Sequence, residues 1–365
     1  MKSKTSKVAL LHYWLLTMRG GERVFAELCD MFPDADVYTH ACNRKRIAPA
    51  IKSHAIKESF ISRLPGAKRA CQCYLPLMPM AQKKWDFSEY PLIISSESGP
   101  IKGIRKPKES FHICYCHTPM RYLWDMYDGY FRKASFSGKA AMRLFRDSLR
   151  SYDLKSAETV DVFVANSRFV AERIKRIYNR DSEVIYPPVN TDFFGDAPVR
   201  ERNYFLLAGQ LIGYKRPELV VRAFSRLSDR LIVAGAGEEL AKLQSIATNN
   251  VEFVISPDDD QLRELYAGAK ALIFPGVEDF GMIPVEAQAA RCPVIAFKAG
   301  GVLESVEPGQ TGIFFENPTE RALLEAIEEF QRQKFSEDAL KKSAERFSRA
   351  KFRSEMERVI AATIG

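Results

Sequence analysis

One feature constrains this 365-residue chain most: short apolar runs alternate with amphipathic stretches almost throughout, and the alternation breaks once. "KVALLHYW" reads as a strand and "GERVFAELCDMF" as the helix after it. "LIISSES", "FHICYCH" and "VDVFVANS" are further strands, and "VAERIKRIY" carries apolar residues at helical spacing. This rhythm predicts an α/β fold with a parallel, doubly wound sheet. It stops at residues 184–203, where Pro187, Pro188, Gly195 and Pro198 exclude a helix interior or a central strand. It then restarts: "YFLLAG", "RLIVAGAG", "VEFVIS", "KALIFPG" and "PVIAF" are strands, and "PELVVRAFSRL" and "DDQLRELYAGA" are helices. The expectation is two Rossmann-like domains, residues 1–190 and 191–365, facing each other across a cleft. The tail from Thr319 reads as helical throughout and is expected to cross back to the first domain.

Within the second half, "VEDFGMIPVEAQA" holds Glu278 and Glu286 around a Phe-Gly pair and Pro284. The proline suits the first turn of a helix, where its missing N–H costs nothing. A strand runs into this loop, so the free N–H groups near Gly281 to Val285 are placed to meet an anion. Glu286 could accept from a ribose diol, and Glu278 from a sugar beyond the phosphates. The order of carboxylate, backbone donors and carboxylate fits a nucleotide-sugar; it also fits an ordinary helix start, where any glutamate is favourable. Upstream, "AGQLIGYKRPEL" puts Lys215 and Arg216 in a strand-to-helix turn, suited to a diphosphate or to simple solvation.

Charge is uneven. Residues 41–109 hold fourteen Lys/Arg against five Asp/Glu, an excess above the net +8 of the whole chain. Such a segment attracts phosphate. Within it, residues 56–85 mix Phe60, Ile61, Leu64, Tyr74, Leu75, Leu77, Met78 and Met80 with cations. This mixture suits an anionic membrane surface, or a core whose cations are merely solvated. No apolar run reaches the roughly 18–20 residues that span a bilayer. The basic-then-apolar start lacks a small-residue cleavage site and reads as a buried first strand. Seven cysteines point to a reducing, cytoplasmic setting. Cys71/Cys73 and Cys114/Cys116 lack zinc spacing and read as buried small residues, while Asp258–Asp260 reads as a helix cap before a metal motif.

The ordered motifs "LHYWLLTMRGGERVF", "YCHTPMRYLWDMYDGYF", "VANSRFVAERI", "GYKRPEL", "EDFGMIPVEAQA" and "AGGVLESVEPGQTGIFFE" resemble the family-4 retaining glycosyltransferases, in the bacterial mannosyltransferase branch of surface polysaccharide assembly. The resemblance implies the GT-B fold and transfer of a hexose, mannose from GDP-mannose, to a lipid-diphosphate-linked glycan at the inner face of the inner membrane. It implies that Glu278 binds donor-sugar hydroxyls and Glu286 the ribose. Phe280, Gly281, Met282 and Ile283 would offer backbone N–H groups, and Lys215 would hold the diphosphate. Gly20 and Gly21 would let backbone approach closely, His117 would contact the sugar, and Ile255 would lie beside the base. Asn166 and Ser167 would line the cleft. Gln210 stands where the family usually has arginine, so Arg216 or Lys215 would carry more of the charge. No metal or other cofactor is expected, and no nucleic-acid signature is present. A nucleotide-sugar epimerase of the same fold is the alternative enzyme, and a basic nucleic-acid-binding protein the alternative outside enzymes.

Overall fold

The computed structural model describes residues 7–364; Met1–Ser6 and Gly365, the outer ends of the first and last stretches read above, lie outside the described residues. The chain divides into two compact units. One comprises the residues up to Tyr186 together with those from Arg353 onward, and the other is Pro187–Phe352. The division falls within the proline-marked break. The stretch 191–365 is not a single unit, because the tail from Arg353 groups with the first.

The first unit is built on seven parallel strands: β1 (Val8–His12), β2 (Asp36–Thr39), β3 (Ile56–Glu58), β4 (Leu92–Glu97), β5 (Phe111–Cys116), β6 (Val162–Ala165) and β7 (Glu183–Val184). They lie in the order β3-β2-β1-β4-β5-β6-β7. All residues of β1 and β4 are buried, as a parallel sheet covered on both faces requires. The order reverses direction between β1 and β4, and the register there sets His12 beside Ser96.

The second unit repeats the plan with six strands: β8 (Tyr204–Ala208), β9 (Arg230–Ala234), β10 (Val251–Val254), β11 (Ala269–Phe274), β12 (Val294–Phe297) and β13 (Gly312–Phe315). Their order is β10-β9-β8-β11-β12-β13, all parallel, with the reversal between β8 and β11. Its core joins Phe205, Val220, Phe224, Ile273, Ile295 and Leu323 from strands and covering helices. Ligands in such sheets bind outside the carboxyl ends of the strands at the reversal. That rule directs attention to the residues following β1, β4, β8 and β11.

Two findings depart from the sequence reading. In residues 56–85, Ile61, Cys71 and Met78 are buried in a small cluster, and Phe60, Leu64, Tyr74 and Leu75 pack against it. Of the apolar residues named there, only Leu77 and Met80 count as exposed, so the packing alternative accounts for most of them. The second is a 22-residue helix, Phe136–Ala157, which the alternation did not reveal.

Candidate active site

The first unit carries an imidazole one strand beyond the reversal of its sheet. His117 follows β5, and its backbone N–H donates to the Glu97 carbonyl at 2.8 Å, which ties it to the end of β4. Its Nε2 lies 2.8 Å from Ser96 Oγ, which also lies 3.2 Å from Nδ1 of the fully buried His12. Burial, reinforced by the nearby His117, holds His12 well below the usual imidazole range. It is therefore neutral, and Ser96 links one buried ring to one partly accessible ring.

Across from His117, the helix Gly20–Met31 begins at the two glycines. A Cβ on Gly21 would lie 3.5 Å from His117 Nε2 and 3.6 Å from the Tyr13 hydroxyl, so the imidazole approaches the backbone at the helix start. Glu22, in the first turn, accepts from the Arg19 backbone N–H at 3.1 Å. Asn166 and Ser167 are both buried. Ser167 caps the helix Arg168–Tyr178 by accepting from Val170 N–H at 3.1 Å and donates to Asn166 Oδ1, so its hydroxyl serves the fold locally.

Beneath His117 lies a buried charge cluster. Lys102 is fully buried, donates to the Glu97 carboxylate from Nζ and from its backbone N–H, each at 2.5 Å, and pairs with Asp153. Asp153 also accepts from Trp124 Nε1 at 2.7 Å and from the Tyr178 hydroxyl at 2.9 Å. Burial is the largest influence on Glu97 and pushes its carboxyl up to about 7. An uncompensated charge here would be costly, so the cluster holds only as a set. By clamping Glu97 it fixes the end of β4, whose carbonyl accepts from the His117 N–H.

The second unit carries its own polar groups at the reversal of its sheet. Lys215 ends the short 3-10 turn Gly213–Lys215 after β8, and Glu278 lies in the loop after β11. Lys215 Nζ meets Glu278 Oε1 at 2.8 Å, with both side chains largely but not wholly covered. Glycines let the loops close on this pair. Gly209 has φ +118°, and a Cβ there would come within 2.7 Å of Ile283 Cδ1 and 3.9 Å of Lys215 Nζ. Gly300, at φ +83°, would drive a Cβ to 2.6 Å from the Glu278 carbonyl. The neighbouring Gly301 N–H donates to that same carbonyl at 2.9 Å.

The helix after the loop is Met282–Ala289, with Gly281 at its N-cap in a left-handed conformation and no side-chain cap. Met282 and Ile283 are partly exposed, so the backbone at this helix start is reachable. Pro284 sits at the third helical position. Phe280 turns inward and packs on Phe347, with ring centroids 5.3 Å apart. Glu286 is buried at 6% exposure and accepts from the Tyr266 hydroxyl at 3.0 Å.

Arg216 is engaged elsewhere than Lys215. It takes a left-handed conformation at φ 53°, donates Nη1 to the Pro275 carbonyl at 3.1 Å, and lies over the Phe297 ring at 4.7 Å. It clamps the turn to the end of β11. Gln210 follows Gly209 and is partly buried; its carbonyl accepts from Ile212 N–H at 3.1 Å. Ile255 follows edge strand β10 and is 57% exposed. Two strand spacings, about 10 Å, separate the end of β10 from that of β8, a span suited to a base whose phosphates lie at β8.

Asp258 accepts from Gln261 N–H at 2.8 Å and completes a capping box, so the acidic run is a helix cap. Among the described residues no cluster of His, Cys, Asp and Glu is arranged to hold a metal. All seven cysteines are free thiols; Cys71, Cys114 and Cys116 are buried as expected, but Cys73 is exposed.

Sequence reasoning missed Ser96, His12, Glu22, Lys102 and Asp153. His12 ends β1 and Ser96 is the last but one residue of β4, at the sheet reversal, a position legible only once strand order is known. Lys102 and Asp153 are 51 positions apart, and nothing local marks them as partners.

This arrangement, two sheets with polar groups gathered at each reversal, agrees with two family models. The one described as "Glycosyl transferases group 1" matches residues 189–350, and "Glycosyltransferase Family 4" matches residues 18–193. The chain belongs to the family-4 glycosyltransferases. It is 29% identical to the human alpha-1,3/1,6-mannosyltransferase ALG2 over 60% of this chain and 59% of that protein. It is 30% identical to a D-inositol 3-phosphate glycosyltransferase of Streptomyces bingchenggensis over 44% of each. The matches thus span about half the length of these relatives.

Among solved structures, Anabaena HepE in complex with UDP-glucose aligns with TM-score 0.70 at 15% identity, covering 97% of this chain and 99% of that one. The lipopolysaccharide outer core galactosyltransferase WaaB in its apo form aligns with TM-score 0.65 at 16% identity, covering 98% and 99%. The fold is GT-B.

Proposed function

We propose that this chain is a retaining hexosyltransferase that takes its sugar from a nucleotide-sugar. The observation that carries the reading is the Lys215–Glu278 pair at the reversal of the second sheet, beside the uncapped start of the helix Met282–Ala289. As the bond from sugar to diphosphate breaks, negative charge grows on the phosphate. An ammonium group and oriented backbone N–H groups stabilise that charge where it develops, and the reading needs no metal. Lys215 holds the diphosphate, Met282 and Ile283 supply backbone donors, Glu278 positions the sugar hydroxyls and Glu286 the ribose. Gln210 and Ile255 line the path to the base, and Arg216 shapes the turn. In the first unit His117 contacts the sugar, with Gly20 and Gly21 leaving room at the helix start.

The sugar keeps its anomeric configuration, because the acceptor attacks the face from which the diphosphate departs and the phosphate takes its proton. The donor is GDP-mannose. The acceptor is a lipid-diphosphate-linked glycan of bacterial surface polysaccharide, met by a peripheral enzyme at the cytoplasmic face of the inner membrane. Likeness to a named mannosyltransferase supports the sugar, and the cationic excess of residues 41–109 supports an anionic surface. Thermal shifts with GDP, UDP and ADP, followed by transfer assays with the matching mannose and glucose donors and anomeric analysis of the product, test the reading. Stabilisation by GDP and an α-mannosyl product are expected. Stabilisation by none of the three, or an inverted product, overturns it.

A further inference from the structure

Helix Phe136–Ala157 is unlike the other long helices of this unit. Its only buried residues are Asp153, Ser156 and Ala157, at its C-terminal end, and the preceding helix Tyr127–Lys133 buries none. Ser135 caps the long helix, accepting from Gly138 N–H at 3.2 Å. From there about 25 Å of helix runs before its first buried side chain.

Three of the apolar residues on this stretch share one face, while Phe145 lies on another. Phe136, Ala140 and Leu144 recur every four positions and form one ridge. Phe136 is 92% exposed and Leu144 74% exposed, among the most exposed large apolar side chains of the protein. The ridge lies on the face of the helix away from Asp153 and Ser156, so it does not serve the core. Cations border it: Lys139 and Arg143 stand one position before Ala140 and Leu144. Arg143 and Arg150 lie over the rings of Phe131 and Trp124, each at 5.0 Å, which fixes the adjoining helix alongside. From Tyr127 to Arg150 there are six Lys/Arg and two Asp.

We propose that the helix Phe136–Ala157 docks this protein on an anionic lipid bilayer, with Phe136 and Leu144 entering the boundary between headgroups and acyl chains and the flanking cations meeting lipid phosphates. An exposed apolar ridge bordered by Lys and Arg is the pattern of an interfacial helix. A second copy of this chain fits less well, since two like faces would bring their cationic excesses together. Nucleic acid would leave Phe136 and Leu144 uncovered. The inference rests on the membrane association proposed above and locates it, moving the apolar anchor from residues 56–85 to this helix.

The test measures vesicle binding alone, without donor or acceptor, so its failure is distinguishable from failure of glycosyl transfer. The full chain is sedimented with vesicles of phosphatidylethanolamine and phosphatidylglycerol, and with phosphatidylcholine alone, at low and high salt. The wild type is expected to bind the anionic vesicles and retain part of that binding at high salt. The double variant F136S/L144S should lose the salt-resistant part and bind at least about tenfold less. K139E/R143E should lose the salt-sensitive part by a similar factor. As a reading independent of these substitutions, the emission of F136W should shift to the blue on anionic vesicles. Wild-type binding by F136S/L144S, no preference for anionic vesicles, or no shift for F136W would overturn the proposal. So would lipid-free light scattering showing a wild-type dimer that F136S/L144S dissociates, which would make this face an interface between copies.

Discussion

The Lys215 ammonium lies 2.8 Å from the Glu278 carboxylate although the two residues leave the sheet from different strands, β8 and β11. Without ligand, the cation assigned to the diphosphate is thus already occupied by the carboxylate assigned to the sugar. On the proposed reading, a bound diphosphate would draw Lys215 away and free Glu278 to accept from hydroxyls. Binding of one end of the donor and readiness for the other are coupled through one contact.

Glu278→Gln separates the two roles. The amide no longer competes for Lys215, so affinity for the nucleoside diphosphate should hold or rise up to about tenfold. Transfer should fall at least about 100-fold through loss of sugar positioning. Calorimetric titration and initial rates on the same preparation check this; a parallel loss of nucleotide affinity would contradict it.

Lys215→Ala should cost nucleoside diphosphate affinity about 10–100-fold, the range of a hydrogen bond to a charged group. Thermal stability should change little, because the lysine is partly exposed and its removal leaves Glu278 within reach of water. Arg216→Ala should behave in the opposite way, lowering the thermal midpoint through loss of its contacts with Pro275 and Phe297. Paired thermal melts and titrations distinguish the two.

Gly300 and Gly309 form an internal comparison. Both have positive φ, +83° and +76°, but a Cβ at Gly300 meets the Glu278 carbonyl at 2.6 Å, whereas Gly309 has open space. Gly309→Ala should cost about 1 kcal/mol for the left-handed backbone alone. Gly300→Ala should cost at least about 3 kcal/mol and reduce transfer, because the loop carrying Glu278 must move. Urea denaturation with activity measurement reads both effects.

Acid should weaken the first unit. Burial is the leading cause that lowers His12 well below the usual range, His40 to about 4 and His112 to about 3. All three are neutral when folded. Stability from them is present above the unfolded imidazole value of 6.5 and is lost as pH falls below it. Two buried acids act in the other sense. Glu97, raised to about 7, and Glu22, also raised by burial, favour the fold at low pH and lose that contribution as pH rises. Below pH 6.5 the three imidazoles that take up protons on unfolding oppose the two carboxyls that release them, so the net expectation is a fall in stability as pH drops toward 4.5. His112→Gln should flatten the slope. Urea midpoints across this range check it, and a slope unchanged by the substitution would contradict it.

The sequence made the parallel sheets legible because their buried strands, such as "VALLH" and "AKALIF", are mostly apolar, broken by single polar residues His12 and Lys270. It showed less where strands are short or at an edge: β3 has three residues and β7 two. The helix Phe136–Ala157 escaped because its apolar residues lie on more than one face, so no single period marks it. In the site, the motif around Glu278 was legible because strand, loop and helix start are contiguous. Its partnership with Lys215, 63 positions away, depends on β8 and β11 being neighbours, which only strand order reveals. The Ser96 link to His12 and His117 and the Lys102 cluster were silent for the same reason.

The central claim is that a donor's diphosphate is held by Lys215 and the start of the helix Met282–Ala289. A crystal structure with a bound nucleoside diphosphate tests it most directly. The account predicts a phosphate oxygen within about 3 Å of Lys215 Nζ, phosphates against the backbone of Met282 and Ile283, and Glu278 released from the lysine. Phosphates lodged elsewhere, with the Lys215–Glu278 pair intact, would contradict it.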